Sequence, residues 1–255
     1  MWPDTPVSQK EKAMKLGPKL HRIGNDIVAA YLVVTDDGIT VIDAGLAGHW
    51  RDLLRELAAL GRPLTDIRGV VLTHGDTDHI GFAERLRLET GVPVYIHAAD
   101  AARARGTEHY KPAAGSAGGM RPWPAARFLA YSVRKQGWRT TYLGDVVPVA
   151  DGDLLDLPGS PQIIGLPGHS PGSVAVHVPD AKALFVGDAL TTRNVLSGKA
   201  GLQPAPFTDD PVQALQTLDR LTPLTNVEWV LPGHGTPWNG PVSEVAASVR
   251  AGARA

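Results

Sequence analysis

The stretch VVLTHGDTDHIG, residues 70–81, crowds potential metal ligands into a few positions. An apolar run ends at His74, and the next five positions add Asp76, Asp78 and His79, in a chain with only nine His and 26 acidic residues. A strand that ends in such a residue delivers its side chain to the rim of a sheet, where several loops converge. We expect Asp78 and His79 on the first turn of a following helix, so that they approach His74 from a second direction. Imidazole together with carboxylate predicts a site for divalent cations.

The amino-acid composition excludes several other kinds of functional site. The 255 residues are 43% hydrophobic and 20% charged, which is typical of a globular protein. Cysteine is absent, which excludes disulfides, thiolate zinc sites and a cysteine nucleophile, and leaves His and carboxylates as the strong metal ligands. A formal net charge of −1 without a long Lys or Arg run favours neither nucleic acid nor a membrane as a partner, so we expect a small-molecule substrate.

The N-terminal segment, residues 1–20, has no apolar core of the length that a signal peptide requires. No later window is long and apolar enough to span a membrane. We therefore expect a cytoplasmic protein.

Strand and helix patterns alternate along the chain. DIVAAYLVV (26–34) and ITVIDAG (39–45) read as a hairpin around the turn TDDG, and HWRDLLRELAALG (49–61) reads as an amphipathic helix. Another strand, helix and strand follow within residues 69–97. This alternation predicts a layered α/β domain covering residues 1–255.

The pattern loosens between about residues 98 and 143. This segment is rich in Gly, Pro and aromatic residues, with one short helix expected near residues 125–136. Long irregular segments inside compact domains are usually functional. We therefore predict a lid-like insertion over the site.

Four other segments place polar side chains after apolar strands or on glycine-rich turns. They are VIDAG with Asp43, GLPGHSPGS with His169, FVGDAL with Asp188, and VLPGHG with His234. Flanking Gly and Pro let the backbone bend so that each side chain points inward. Each of these residues alone has an ordinary structural explanation, and the case for a metal site rests on all of them together.

HGDTDH, GHSPGS, FVGDA and PGHG resemble, in order, the motifs of the metallo-β-lactamase superfamily of metallohydrolases. The resemblance implies an α/β fold, a four-layer αβ/βα sandwich of two facing mixed sheets with helices outside. It implies two metal ions, with Asp188 bridging them and Asp43 supporting the site from behind the ligands. The implied ligands are His74, Asp76 and His169 for the first ion, and Asp78, His79 and His234 for the second.

Asp76 departs from the family pattern, which most often has His at this position. The His-x-Asp-x-Asp-His variant resembles a branch of uncharacterised hydrolases, and the segment at residues 201–218 is similar to that branch. Asp is also a favoured N-cap, so Asp76 is either a metal ligand or the cap of the following helix. The implied cofactors are two divalent ions, zinc first, with manganese or iron as alternatives because an oxygen ligand is harder than imidazole.

The resemblance implies a hydrolase that uses a metal-bridging hydroxide on a small ester, lactone or thioester. Phosphodiesters are the second choice of substrate. Asp78 is the candidate catalytic residue, which orients the hydroxide and passes a proton to the leaving group. The alternatives are a mononuclear iron dioxygenase of the persulfide type, which uses His74, His169 and Asp188, and a metal-stabilised binding protein without turnover. Candidate pocket residues are His109, Tyr110, Trp123, Phe128, Tyr131 and Arg193, although packing of the insertion also explains its aromatic residues.

Overall fold

The structure is a computed structural model that describes residues 14–108, 113–114 and 119–254. Two of the candidate pocket residues, His109 and Tyr110, lie outside these ranges.

The first sheet has seven strands, which lie side by side in chain order. The first four pair antiparallel, and the strands from the fourth onward pair parallel, so the sheet is mixed. Its strands are β1 (Met14–Lys15), β2 (Leu20–Gly24), β3 (Ala29–Thr35), β4 (Gly38–Ile42), β5 (Ile67–Val71), β6 (Val94–His97) and β7 (Val147–Val149).

The second sheet has four strands in the order β13-β10-β9-β8, with the β10–β13 pair parallel and the others antiparallel. A separate two-stranded ribbon is formed by β11 and β12. These strands are β8 (Gln162–Gly165), β9 (Val174–Val178), β10 (Ala183–Gly187), β11 (Thr191–Arg193), β12 (Ala200–Gln203) and β13 (Trp229–Pro232).

Helices cover the outer faces of the two sheets, and the inner faces pack against each other. One apolar cluster joins Val41 and Val70 of the first sheet to Leu53 and Leu86 of two helices, and another joins the second sheet to Val249. The helices are α1 (Trp50–Leu60), α2 (Ala83–Thr90), α3 (Ala101–Ala104), α4 (Pro122–Arg134), α5 (Pro211–Thr217) and α6 (Val245–Arg254).

Between the sheets lies a third apolar cluster to which both contribute. Tyr31 and Val33 of β3 and Val71 of β5 meet Val176 of β9 and Phe185 of β10. Burial of these large apolar side chains is the main driving force that holds the two sheets together. The four layers confirm the predicted αβ/βα sandwich.

Parallel pairing brings the predicted ligands to one edge of the sandwich. β4 and β5 run parallel, so their carboxyl ends place Asp43 and His74 side by side, and the parallel pair β10 and β13 does the same for Asp188 and His234. Hydrogen bonds join the two sheets at this edge, where the Tyr31 hydroxyl donates to Pro232 O at 2.8 Å.

Residues 98–143 form more helix than the sequence predicts, in the part that the structure describes. α4 begins at Pro122, where proline suits the first helical turn. Through Tyr131 it joins a small apolar cluster with Ile27, Leu46 and Leu196. This cluster lies beside the edge of the sandwich that carries the predicted ligands, which we call the metal edge. Whether this segment acts as a lid within one domain stays a prediction. None of the helices described is both long and apolar enough to cross a membrane.

His177 on β9 is buried, and neither ring nitrogen has a hydrogen-bond partner among the described residues. Burial lowers its pKa from the ordinary 6.5. As the pH falls through about 6.5, the unfolded chain therefore binds a proton before the folded chain does, and folding stability is lost. We expect His177→Leu to raise the free energy of unfolding by about 1 kcal/mol at pH 8, because an unsatisfied polar group is removed.

At pH 5 the gain from His177→Leu should be larger than at pH 8. Urea unfolding of the variant and the wild type at both pH values measures the difference, and His97→Leu at a partly buried position is the control. An equal gain at the two pH values would contradict the pH-dependent part of this account.

Candidate metal centre

The structure brings seven predicted ligands together at the edge where the two sheets meet. Six of them form two groups, and within each group the potential ligand atoms lie within 4.8 Å of one another. Each group takes side chains from both sheets. The first group is His74, His169 and Asp188, and the second is Asp78, His79 and His234.

Hydrogen bonds fix which nitrogen of His79 and His234 faces this centre. His79 Nδ1 lies 2.9 Å from the Asp43 carboxylate, and His234 Nδ1 contacts the backbone oxygen of Ile27. Both partners can only accept, so each Nδ1 carries the proton. The Nε2 of each ring therefore points into the centre.

Two threonines fix the other two rings in the same way. The Thr73 hydroxyl donates to Asp43, and the Thr208 hydroxyl donates to Ala205 O at 2.9 Å. Each hydroxyl can then only accept from the histidine beside it, His74 Nδ1 at 3.1 Å or His169 Nδ1 at 3.3 Å. All four imidazoles thus turn Nε2 towards the centre, and this is the nitrogen that binds a metal once it is unprotonated.

Three pairs of inward-facing atoms are spaced as neighbouring metal ligands are, whereas His234 Nε2 and Asp188 Oδ2, 3.1 Å apart, are within hydrogen-bond range. A hydrogen bond to these groups spans about 2.7–3.2 Å, whereas bonds of about 2.0–2.1 Å to a tetrahedral zinc place neighbouring ligands about 3.3–3.4 Å apart. The Nε2-to-carboxylate distances are 3.3 Å for His169–Asp76, 3.4 Å for His234–Asp78 and 3.5 Å for His79–Asp188.

Some inward-facing atoms are buried without any hydrogen-bond partner among the described residues. They are His74 Nε2, His79 Nε2 and Asp188 Oδ1. Buried polar atoms are almost always satisfied, so three such atoms at one centre need a partner of another kind. The donor set therefore fits divalent cations.

Asp188 lies between the two groups. Its Oδ1 is 3.5 Å from His79 Nε2, and its Oδ2 is 3.1 Å from His234 Nε2 and 3.9 Å from His169 Nε2. One carboxylate thus faces histidines of both groups.

The charges of the ligands perturb one another strongly. Burial, reinforced by His79 and His169, holds the pKa of His74 well below 6.5, so this ring is neutral. Burial alone would also lower the pKa of His79, but the carboxylates of Asp43 and Asp188 outweigh it and raise the pKa to about 9. A cation that binds here must displace that proton, so metal affinity should rise with pH up to about 9.

Asp76 reaches the first group but does not cap a helix. Its Oδ2 lies 3.6 Å from His74 Nε2 and 3.3 Å from His169 Nε2, while its Oδ1 forms an ion pair with Arg103 Nε at 2.9 Å. α2 begins only at Ala83, and its N-cap residue is Phe82. The helix-cap interpretation of Asp76 is therefore wrong for this helix.

Asp43 lies behind the ligands, where its two oxygens serve different loops. Oδ1 accepts from Thr73 N at 2.8 Å, and Oδ2 accepts from His79. Gly233 makes the close approach of the second sheet possible. A Cβ at that position would lie 2.4 Å from His79 Cε1 and 2.7 Å from Asp188 Oδ1, so only glycine fits.

Asp100 is a supporting residue that sequence reasoning missed. It is fully buried and accepts from Gly75 N at 2.8 Å, Gly172 N at 2.7 Å and Ser170 Oγ at 2.6 Å. It thereby ties the loop of His74 to the turn of His169. Its position in AADAARA, away from every motif, gave no signal.

The described pocket candidates do not share one environment. Trp123 is 79% exposed, whereas Tyr131 is buried and its hydroxyl lies 2.7 Å from His49 Nε2. Phe128 packs with Tyr131 on the cluster beside the metal edge. Arg193 pairs with Asp26, one residue from the Ile27 oxygen that holds His234. Of these four, Arg193 is therefore tied most directly to the metal edge, and Tyr131 serves packing.

The sequence profile of the metallo-β-lactamase superfamily matches residues 23–234. The probable metallo-hydrolase YflN of Bacillus subtilis strain 168 is 30% identical over 210 residues, which cover 78% of this chain and 76% of that protein. Acyl-coenzyme A thioesterase MBLAC2 of Gallus gallus is 31% identical over 206 residues, covering 76% of this chain and 67% of that protein. The chain belongs to the metallo-β-lactamase superfamily, and it is an enzyme of the metallohydrolase class.

The fold comparison agrees with the sequence comparison. The crystal structure of TTHA1623 in a di-iron-bound form matches with a TM-score of 0.60 and 28% identity, covering 93% of this chain and 98% of that one. Proteins of this superfamily bind divalent metal ions, often two.

Proposed function

We propose that the protein is a dinuclear metal-dependent hydrolase of small thioesters, with esters and lactones as further substrates. The observation that carries the two-metal part is the position of Asp188. Its oxygens face His79, His169 and His234, which belong to both ligand groups. Four imidazoles that hold a proton on the outward Nδ1 and turn Nε2 inward support it.

When bound, divalent cations polarise a carbonyl oxygen and lower the pKa of a water molecule. The chain's own residues decide where that chemistry can act. The side chains of Asp76 and Asp78 are 20% and 23% exposed, whereas those of the four histidine ligands are at most 5% exposed. The open side of the site therefore lies at these two carboxylates, and a substrate approaches there.

Asp78 is the group best placed to handle a proton on that open side. Burial would raise the pKa of Asp78, but the contact with His234 at 3.4 Å and the charge of His79 outweigh it and lower the pKa. Asp78 is therefore ionised at neutral pH. It can accept a hydrogen bond from an attacking water and orient it, take up the proton that the water loses, and pass that proton to the leaving group.

The thioester preference rests on the relatives and on the substrate chemistry. A relative 31% identical to this chain is an acyl-coenzyme A thioesterase. A thiolate is a good leaving group, so cleavage of a thioester depends less on a proton donor than cleavage of a phosphodiester does. Arg193 and Arg127, both paired with Asp26, place positive charge near the metal edge, which suits a substrate with an anionic portion.

A mononuclear iron dioxygenase would need only the first group, His74, His169 and Asp188. The second group is nevertheless assembled, with the imidazoles of His79 and His234 held by hydrogen bonds to Asp43 and Ile27 O. Complete preorganisation of a second site favours the hydrolase.

Metal analysis and a substrate panel test the proposal. Protein purified with zinc, manganese or iron should hold two ions per chain at pH 8 and hydrolyse thioesters faster than matched esters, lactones or phosphodiesters. His169→Ala should lose one ion, His234→Ala should weaken the other, and the control His97→Ala should retain both. One iron per chain together with oxygen consumption would contradict the proposal.

A further inference from the structure

Arg103 links the two loops that supply the first ligand group. It lies on α3, in the segment after β6, and its side chain is 8% exposed. Its Nε forms an ion pair with Asp76 Oδ1 at 2.9 Å. Its Nη1 and Nη2 donate to the two carboxylate oxygens of Asp209, at 3.1 and 3.4 Å.

Asp209 continues this connection to the second sheet. Its backbone N–H donates to His169 O at 3.0 Å, and the next N–H, of Asp210, donates to Gly168 O at 2.8 Å. The path therefore runs from Asp76 through Arg103 and Asp209 to the turn of His169. Both ends of the path belong to the first ligand group.

The backbone is shaped to keep Arg103 close to the His74 loop. A Cβ on Gly75 would lie 3.0 Å from Arg103 Cβ and 2.9 Å from Ala104 N, so any other residue at position 75 would push α3 away. This explains the glycine between His74 and Asp76 in HGDTDH.

We infer that Arg103 is a positioning residue for the first metal ion: it occupies Asp76 Oδ1 and leaves Oδ2 alone to face the ion. The inference rests on the proposed metal site. The guanidinium plane binds Asp76 and Asp209 at once, which a point charge on a flexible stem cannot reproduce. Arg103 also offsets the negative charge of Asp76. An aspartate can therefore occupy the ligand position at which most of the superfamily has a neutral histidine.

The test is a titration of metal-free protein with Co²⁺, followed by absorption, and with Zn²⁺ against a chelator. Arg103→Met should weaken the binding of the first ion about 10–100-fold, which is the range for loss of a group that orients a ligand. It should also change the Co²⁺ spectrum of that ion and leave the binding of the second ion unaffected. Arg103→Lys should restore the affinity only partly. A purely structural role would lower the thermal stability of the metal-free protein and leave the spectrum unchanged.

Arg87→Met is the matched control, because Arg87 makes a similar two-pronged pair with Glu84 away from the metal site. Wild-type affinities and spectrum in Arg103→Met would overturn the inference, and Arg103→Lys carries the same test if the methionine variant fails to fold. The wild-type titration separates the two claims. If the wild type and Arg103→Met both bind two ions with equal affinity, the role of Arg103 is overturned and the metal site stands. If the wild type binds one ion, at the first group, the comparison with Arg103→Met still tests the role of Arg103. No binding by the wild type would overturn both.

Discussion

Asp188→Asn is expected to lower kcat/KM by about 10³-fold, or about 4 kcal/mol of transition-state stabilisation, with loss of at least one ion. The amide keeps the size of the side chain but offers one neutral oxygen instead of two charged ones. It therefore cannot face His79 of the second group with one charged oxygen and His169 of the first group with the other, as the carboxylate does. Kinetics on a thioester together with metal analysis measure both effects.

The control for Asp188→Asn is Asp36→Asn, at an exposed position in the β3–β4 hairpin. It applies the same chemical change at the opposite end of a strand from the site and should leave activity and metal content unaltered. Retention of two ions and full activity by Asp188→Asn would show that the residue does not bridge.

Asp76→Ala should weaken the binding of the first ion by at least about 100-fold, since removal of a ligand costs more affinity than removal of a supporting group. It should also lower thermal stability, because the buried Arg103 side chain loses a carboxylate partner. Metal content at a fixed, low concentration of free zinc is the measurement, with the second ion as the internal reference.

Asp66→Ala is the matched control for this variant, because Asp66 also pairs with an arginine, Arg62, at similar exposure but outside the site. A helix-cap role for Asp76 predicts full metal content and a stability loss of about 0.5–2 kcal/mol. Full occupancy of both ligand groups in Asp76→Ala would therefore exclude Asp76 as a ligand.

The sequence predicts those features of this protein that depend on local pattern. Apolar runs that end in His or Asp predict where the strands stop, and the structure places His74, Asp188 and His234 at those strand ends, on one edge. The layered α/β architecture follows from the alternation of strands and helices. Asp43 was predicted behind the site, and it does contact the ring of His79.

The sequence did not reveal the long-range contacts of charged and aromatic side chains. Arg103 lies in an alanine-rich stretch without a motif, and its partners Asp76 and Asp209 are distant in the chain. Tyr131 looked like a pocket residue because aromatics in an insertion are suited to both packing and recognition, and only its contact with His49 decides. The start of α2 was placed too early because Asp76 is a favoured N-cap residue, whereas Phe82, which is the N-cap residue in the structure, is not.

The division of each ligand group between two sheets has a consequence for how the protein comes to its active form. β13, the last strand described, must dock beside β10 before His234 reaches Asp78 and His79. Contacts between such distant segments form slowly, because the closure of long loops precedes any gain from them. During synthesis the ribosome releases the His74 loop long before the His234 turn, so an emerging chain lacks His169 and Asp188 of the first group at first, and His234 of the second group until later. We therefore expect the second group to bind its metal only after β13 has docked, when the fold is nearly finished.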